Sequence, residues 1–234
     1  MEETICGEGR NAKFEMHCHT DEGSACGKVP AKRMVEMYRQ AGYAGLVVTD
    51  HFCAINDINF GRAGCSYAER MGRFVRGYKE ITAMSNDSFR VLQGLELRFL
   101  ESINDYLVYG LTGEILREIP DIDNWTLKRF SEFARKQGIL VYQAHPFRNS
   151  MTIMPPELLD GIEVFNGNVR VVSRNEISKR WAEMNALKGI GGSDYHWDVD
   201  IRSGVWLPGV PKDMKELIGM LRAGVDPIIP EDDI

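Results

Sequence analysis

Seven short apolar runs recur along the chain and constrain its fold more than any other feature. They are KFEMH (13–17), AGLVVTD (44–50), RVLQGLELR (90–98), DYLVYGL (105–111), GILVYQAH (138–145), GIEVFN (161–166) and KGIGGSD (188–194). Their length, β-branched and aromatic content and glycine boundaries predict buried strands rather than helix fragments. Amphipathic stretches lie between several of them. Pro30 opens one, with apolar residues at 31, 34, 35, 37, 38 and 41 before Gly42. Residues 66–84, 170–187 and 212–223 supply others, and Asn124 is the expected cap of a further helix that Gly138 ends. Alternation of near-continuous apolar strands with helices predicts a parallel sheet covered by helices. About seven such units predict an α/β fold of one domain, a closed or nearly closed TIM-like barrel. A doubly wound sheet is the alternative, but no glycine-rich phosphate loop follows the first strand. The expected division is a lead-in over residues 1–12 and a barrel over 13–234.

The rest of the composition sets outer bounds. The net charge of −6 over 234 residues argues against a general polyanion-binding surface and leaves room for a local basic pocket. No apolar run approaches the ~20 residues of a membrane span. The opening MEETICGEGRN has neither a basic nor an apolar signal region. Five cysteines without a CxxC spacing do not read as a disulfide framework. A cytoplasmic protein with no membrane partner is the expectation, and no sequence feature marks a protein partner.

The histidines carry the chemistry. There are five, at 17, 19, 51, 145 and 196, and each falls at or just past the C-terminal end of an expected strand, where barrel enzymes assemble their sites. A lone histidine is most often a surface or satisfied core residue, but all five in such positions form a collective signal. His17 and His19 alternate at a strand end, so both rings face one side and suit one metal. Asp50-His51 and Asp194-Tyr195-His196 close two further strands. Glu96 is a carboxylate within an apolar run, where a metal would compensate its burial; the competing reading pairs it with Arg98. A mixed histidine and carboxylate set suits zinc, manganese or iron, with magnesium possible. Cys18 should point away from the metal side as a core thiol.

HCHT at 17–20, TDH at 49–51, GLE at 94–96, AHP at 144–146 and GSDYH at 192–196 stand in the order of the polymerase and histidinol phosphatase (PHP) family, which the chain resembles from about residue 13 to 200. The resemblance implies a distorted (β/α)7 barrel holding two or three divalent metal ions that hydrolyse phosphoesters through a metal-activated hydroxide. Carried over residue by residue, His17, His19, Glu96 and Asp194 resemble the ligands of a first metal. Glu96 also resembles the bridge to a second metal shared with His145, and Asp105 stands where the family often places another histidine. His51 and His196 resemble ligands of a third metal. The remaining ligand there is left open among Asp21, Glu22 and Cys26. Asp194, His196 and Glu96 would be the catalytic residues. Arg148 is a candidate phosphate contact, with a solvated loop residue as the alternative. Asn166 matches a glutamate-valine-x-asparagine segment and would orient substrate or a ligand. Arg98 and Arg202 are further candidates for phosphate.

The implied substrate is a small phosphorylated metabolite, nucleotide or short oligonucleotide. A 5′→3′ exonuclease is the enzymatic alternative, although the basic pairs Lys128-Arg129, Arg135-Lys136 and Lys179-Arg180 read as solvated helix faces. Trp197, directly after a ligand-type histidine, could stack a base or close the rim. A non-catalytic, metal-stabilised module of a larger assembly and a metal-dependent amidohydrolase complete the alternatives. The tail 208–234 is expected either to pack as a last helix and strand or to extend to a partner.

Overall fold

All seven apolar runs become strands in the computed structural model, which describes residues 11–61 and 64–231. They are β1 (Ala12–Cys18), β2 (Gly45–Val48), β4 (Arg90–Arg98), β5 (Asp105–Tyr109), β6 (Leu140–Gln143), β7 (Gly161–Asn166) and β8 (Lys188–Gly192). The short strands β3 (His51–Phe52), β9 (Val205–Leu207) and β10 (Asp226–Pro227) join them. The order is β10-β9-β1-β2-β4-β5-β6-β7-β8, with β3 beside β4. The sheet nearly closes into a barrel at one rim: the Tyr195 amide donates to the His17 carbonyl at 3.2 Å, and the His19 amide to that of Tyr195 at 3.0 Å. Most of the expected lead-in lies outside the described residues.

The sheet is mixed rather than parallel. β5 runs antiparallel to both β4 and β6, and β9 runs antiparallel to β1. Only residues 99–104 separate β4 from β5, too few for a crossover, so the chain must turn back. Helices α1 (Ala31–Gln40), α2 (Ala54–Asn59), α3 (Tyr67–Phe74), α4 (Arg76–Ile81), α5 (Gly113–Glu118), α6 (Leu127–Gln137), α7 (Asn175–Met184) and α8 (Met214–Ala223) fill most other connections. Thr126, not Asn124, caps α6 by accepting from the Arg129 amide; Asn124 belongs to a preceding 3₁₀ turn. The stretch 66–84 divides into two helices and a 3₁₀ turn, and the stretch 170–187 shortens to α7. The tail folds back as α8 and β10.

An inner apolar cluster, including Phe14, Met16, Leu92, Leu107 and Tyr142, is plugged by Leu217 and Leu221 of α8. Above it the same inward faces turn polar. On β4 the period of two carries Leu92 and Gly94 to Glu96, and on β5 it carries Tyr109 and Leu107 to Asp105. The β1–β2 register breaks between Glu15 and Cys18, so Met16 packs with the inner cluster while His17 also faces inward. Such a bulge re-aims a side chain beside a site. Cys18 then faces the outer cluster under α1, its thiol donating to the Val47 carbonyl, as alternation predicts.

Candidate metal centre

The structure brings all eight residues of the expected ligand set to one end of the barrel. Glu96 is at the centre. Its Oε2 lies 3.4 Å from His17 Nε2, 3.3 Å from His19 Nε2 and 2.9 Å from His51 Nδ1, and its Oε1 lies 3.1 Å from His145 Nε2. Asp194 Oδ1 stands 3.4 Å from both His17 and His19 Nε2 and 3.5 Å from His196 Nδ1. Asp105 Oδ2 reaches to 4.0 Å from His145 Nε2. The ligand-type atoms form four overlapping groups: His17/His19/Glu96, His17/His145/Asp194, His51/Glu96/Asp105 and His19/His51/His196. His17, His19, Glu96, Asp105, His145 and Asp194 are buried, whereas His51 and His196 are half-buried, so the centre opens to solvent on their side.

The donor set fits divalent cations. His17 Nε2, His19 Nε2, His51 Nδ1 and Glu96 Oε2 are buried and make no aligned hydrogen bond; the three nitrogens only crowd around the one oxygen, at 2.9 to 3.4 Å. Orphaned polar atoms in such number are costly unless an ion or another bound group satisfies them. Imidazole and carboxylate at strand ends suit zinc, iron or manganese.

A further set of hydrogen bonds aims these side chains. Glu163 accepts from His17 Nδ1 at 2.9 Å, from the His145 amide at 2.8 Å and from Asn166 Nδ2 at 2.9 Å. His17 is thereby left with its Nε2 toward Glu96 and Asp194, the atom it would offer an ion on giving up its proton. Asp50 belongs to none of these groups. It accepts from the Thr20 amide and hydroxyl at 2.8 and 2.7 Å and from the Ser24 hydroxyl at 2.7 Å. The Ser24 Oγ in turn accepts from the His51 amide at 2.9 Å and sits 3.2 Å from His19 Nδ1. Glu15 accepts the amides of Met16, His17 and Ser193 and the Tyr38 hydroxyl, tying β1 to the chain beside Asp194. Gly192 permits this closeness: a Cβ there would lie 2.4 Å from the His17 Cβ. His145 and Asp194 have positive φ, +29° and +50°, local strain of a kind that clusters at functional sites.

Charge is balanced inside the cluster. Burial would raise the carboxyls of Glu96 and Asp194, yet both are held well below the carboxylate range. The His51 and His17 rings do this for Glu96, and His17 and Arg148 for Asp194. Burial favours a neutral His17, but the Glu163, Asp194 and Glu96 carboxylates raise it well above the usual range. His19 is pushed down to about 3 by burial and by the His51 ring. Burial pushes Glu15 and Asp50 up to about 7 despite their hydrogen bonds. These are the features of a cation site in which protons on imidazole stand in for metal charge.

Arg98 does not pair with Glu96. Its Nε and Nη2 donate to Asp105 at 2.7 and 2.6 Å, a bidentate pair that neutralises Asp105 at the edge of the centre. Arg148 is not a solvated loop residue: its Nη2 donates to Asp194 Oδ2 and, at 2.8 Å, to Asn166 Oδ1. The two oxygens of Asp194 thus divide between the imidazoles and the guanidinium. The Asn166 amide is committed to Arg148 and Glu163. Of the three residues left open after HCHT, Asp21 is exposed and Glu22 accepts from the Ala31 amide at the start of α1. Cys26 lines the cleft beside His51; burial would raise its thiol, but the His51 and His196 rings draw it down to about 6.

Glu163, Glu15 and Ser24 are the contributors that sequence reasoning missed. For the two glutamates the signal existed: each is a carboxylate inside an apolar strand, as Glu96 is. Ser24 carried no such mark.

No protein-family model matches the sequence, and no curated protein is significantly similar to it. Solved structures share the fold. PsfC from Pseudomonas syringae PB-5123 superposes with a TM-score of 0.70 at 15% identity, over 95% of this chain and 93% of that one. A two-domain protein from Bacteroides vulgatus ATCC 8482, containing a predicted PHP-like metal-dependent phosphoesterase, gives 0.65 at 16% identity, over 96% of this chain and 66% of its own. The lesion-specific endonuclease PfuEndoQ from Pyrococcus furiosus gives 0.61 at 14% identity, over 93% of this chain and 57% of its own. The fold is therefore one shared with a predicted PHP-like metal-dependent phosphoesterase and with a lesion-specific endonuclease. Among the described residues no helix is long and apolar enough to cross a membrane.

Proposed function

We propose that this chain is a PHP-type, divalent-metal-dependent phosphoesterase. The observation that carries the reading is the cluster of buried, unpartnered imidazole and carboxylate atoms around Glu96, on a fold shared with PHP-like phosphoesterases. His17, His19, Glu96 and Asp194 would hold a first ion, Glu96, His145 and Asp105 a second, and His51 with His196 a third. Bound divalent ions supply positive charge that acidifies water and offsets the developing charge on a phosphoryl group.

The chain's own residues set the geometry. Glu163 fixes the His17 ring and the His145 backbone, so two ligands from opposite sides of the barrel are placed by one carboxylate. Arg148, held by Asn166, presents a guanidinium next to Asp194, and such a group suits a phosphate oxygen. The half-buried His51 and His196 mark the side from which substrate enters. The substrate class is a small phosphorylated molecule or short oligonucleotide; Lys128-Arg129 and Lys179-Arg180 are exposed helix residues, as expected of solvated faces rather than a strand-binding track.

The test is hydrolysis of bis-p-nitrophenyl phosphate and p-nitrophenyl phosphate after loading with manganese or zinc. Asp194→Ala and His17→Ala should each abolish turnover while the circular dichroism spectrum is kept. Full activity in both variants in metal-replete buffer would overturn the proposal.

A further inference from the structure

We infer that the loops following β7 and β8 form an apolar platform for the organic part of the substrate, so that the phosphoester carries a short aliphatic group beside its phosphate. The inference rests on the phosphoesterase reading above and narrows its substrate class.

Among the described residues, the large apolar side chains left in solvent are unevenly placed. All but two, Ile177 and Met184 of α7, lie on the connections that follow β3, β4, β7 and β8, at the end of the barrel where the metal centre opens. Single exposed apolar residues need no explanation, but their gathering at the mouth of a polar site marks a binding surface. The densest part follows β7 and β8. Val169, Val172 and Val199 are 70%, 69% and 81% exposed, and Val171 and Trp197 are exposed beside them in sequence.

Polar anchors hold these side chains outward. Asn168 Nδ2 donates to Asp194 Oδ2 at 3.3 Å, and Arg170 donates to the two oxygens of Asp200 at 2.5 and 2.6 Å. The buried Asp200 also accepts the amides of His196 and Trp197 at 2.9 and 2.8 Å. The two loops are thus fastened to each other and to the centre through their polar residues, which leaves the valines between those anchors in solvent.

A cleft of about 140 Å³ enters this region, lined by Val169 and Val171 together with Asn166, Asn168, Ser173 and Asn175. Its polar side chains are already engaged. Asn166 is taken by Arg148 and Glu163, Asn168 by Asp194 and the Arg170 amide, and Asn175 by the Asn166 backbone. What the cleft offers a newcomer is aliphatic surface. Arg148 fixes where the phosphate would stand, because its Nη2 donates to Asn166 at 2.8 Å and its Nε to Ser173 at 3.3 Å. A phosphate held by that guanidinium has its substituent next to the valines.

The position of the patch selects its occupant. It borders the opening marked by His51 and His196, so a permanent partner there would close the site, whereas a substrate brings its phosphoester with it. Charge disfavours a polynucleotide. Arg170 is spent on Asp200, Arg174 on the Phe147 carbonyl and Asn149, and Asp198 is exposed on the same rim.

Calorimetry of methyl, butyl and hexyl phosphate on the zinc-loaded full chain tests this without requiring turnover. The dissociation constant should fall by about 2–4-fold per added methylene, with a heat capacity of binding that grows more negative along the series. Val169→Ser combined with Val172→Ser should flatten the series. Met184→Ser, on the exposed face of α7, should keep the wild-type slope. Equal affinity for methyl and hexyl phosphate, no binding of any of the three, or a slope that survives in the double variant overturns the platform, and hydrolysis of p-nitrophenyl phosphate would still stand. A chain-length slope in a protein that hydrolyses no phosphoester keeps the platform as a binding surface and removes the phosphoesterase reading instead. Sedimentation of the wild type with phosphatidylcholine vesicles, lost in the double variant, would give the patch to a lipid surface and overturn the assignment to a single substrate molecule.

Discussion

His17 Nδ1 lies 2.9 Å from Glu163 Oε1, a contact across 146 residues of sequence between β1 and β7, with both side chains fully buried. It decides which nitrogen of His17 faces Glu96 and Asp194. The second oxygen of Glu163 accepts the His145 amide, so one carboxylate sets the aim of two ligand-type histidines.

Glu163→Gln should therefore weaken metal binding without unfolding the barrel. The amide is isosteric and can still accept from His17, but it no longer strengthens the ring as a ligand. Loss of such an outer partner weakens metal affinity by about 10–100-fold. Competition with a chromophoric chelator measures it; affinity equal to wild type would show that Glu163 serves packing only.

Metal binding should release protons, and affinity should rise with pH. His17 in the metal-free chain is raised well above the ordinary histidine range by Glu163, Asp194 and Glu96, despite burial. It carries a proton at neutral pH that a cation must displace. In stability terms a raised histidine contributes fully below its unfolded value and loses that contribution as pH rises through the folded one, so the metal-free protein weakens on the alkaline side while the metal-bound one does not. Calorimetry of zinc binding in buffers of different ionisation enthalpy should give a slope corresponding to net release. A zero slope would contradict it.

Arg98 and Asp105 form a bidentate pair at the edge of the centre. Arg98→Ala leaves a buried carboxylate unpaired, a change that costs about 3–5 kcal/mol. If Asp105 faces a second ion, that ion replaces the lost partner. The drop in melting temperature should then be large in chelator and clearly smaller in saturating zinc. An equal drop in both conditions would remove Asp105 from the ligand set.

The histidines were legible because their residue type is rare and each ends an apolar run. Glu96 was legible as a carboxylate where none should be buried without compensation. The same argument applies to Glu15 and Glu163, whose compensation comes from amides, a tyrosine hydroxyl and a histidine that only the folded chain brings near. Asp50 looked like a ligand-bearing strand end, but its neighbours Thr20 and Ser24 come from another connection. The reversal of β5 was encoded in the shortness of residues 99–104, whereas strand patterning is blind to direction because both orientations alternate with period two. Asn124 and Thr126 are both capping residues, and the 3₁₀ turn before α6 decides between them.

Away from the centre, the segment between β3 and β4 is held by a buried ionic network. Arg70 Nε contacts Asp57 Oδ2 at 2.7 Å, Arg70 Nη1 contacts Asp123 Oδ2 at 2.7 Å, and Arg73 Nη2 pairs with Asp57 Oδ1. Asp57 on α2 thus fastens α3, and Arg70 passes the link to the turn before α6. Asp57→Ala removes a shared anion and leaves Arg73, almost fully buried, without its partner. Breaking one side of a buried pair costs about 3–5 kcal/mol, and about 2–4 °C per kcal/mol in a domain of this size. The melting temperature should fall by roughly 6–20 °C by these measures. Metal stoichiometry should be unchanged, because no member of the network touches the imidazole cluster. Asp57→Ala combined with Arg73→Met, which removes both charges, should recover part of the loss. A double variant no more stable than the single one would mean that α3 is held by its apolar contacts and that the network adds nothing to it.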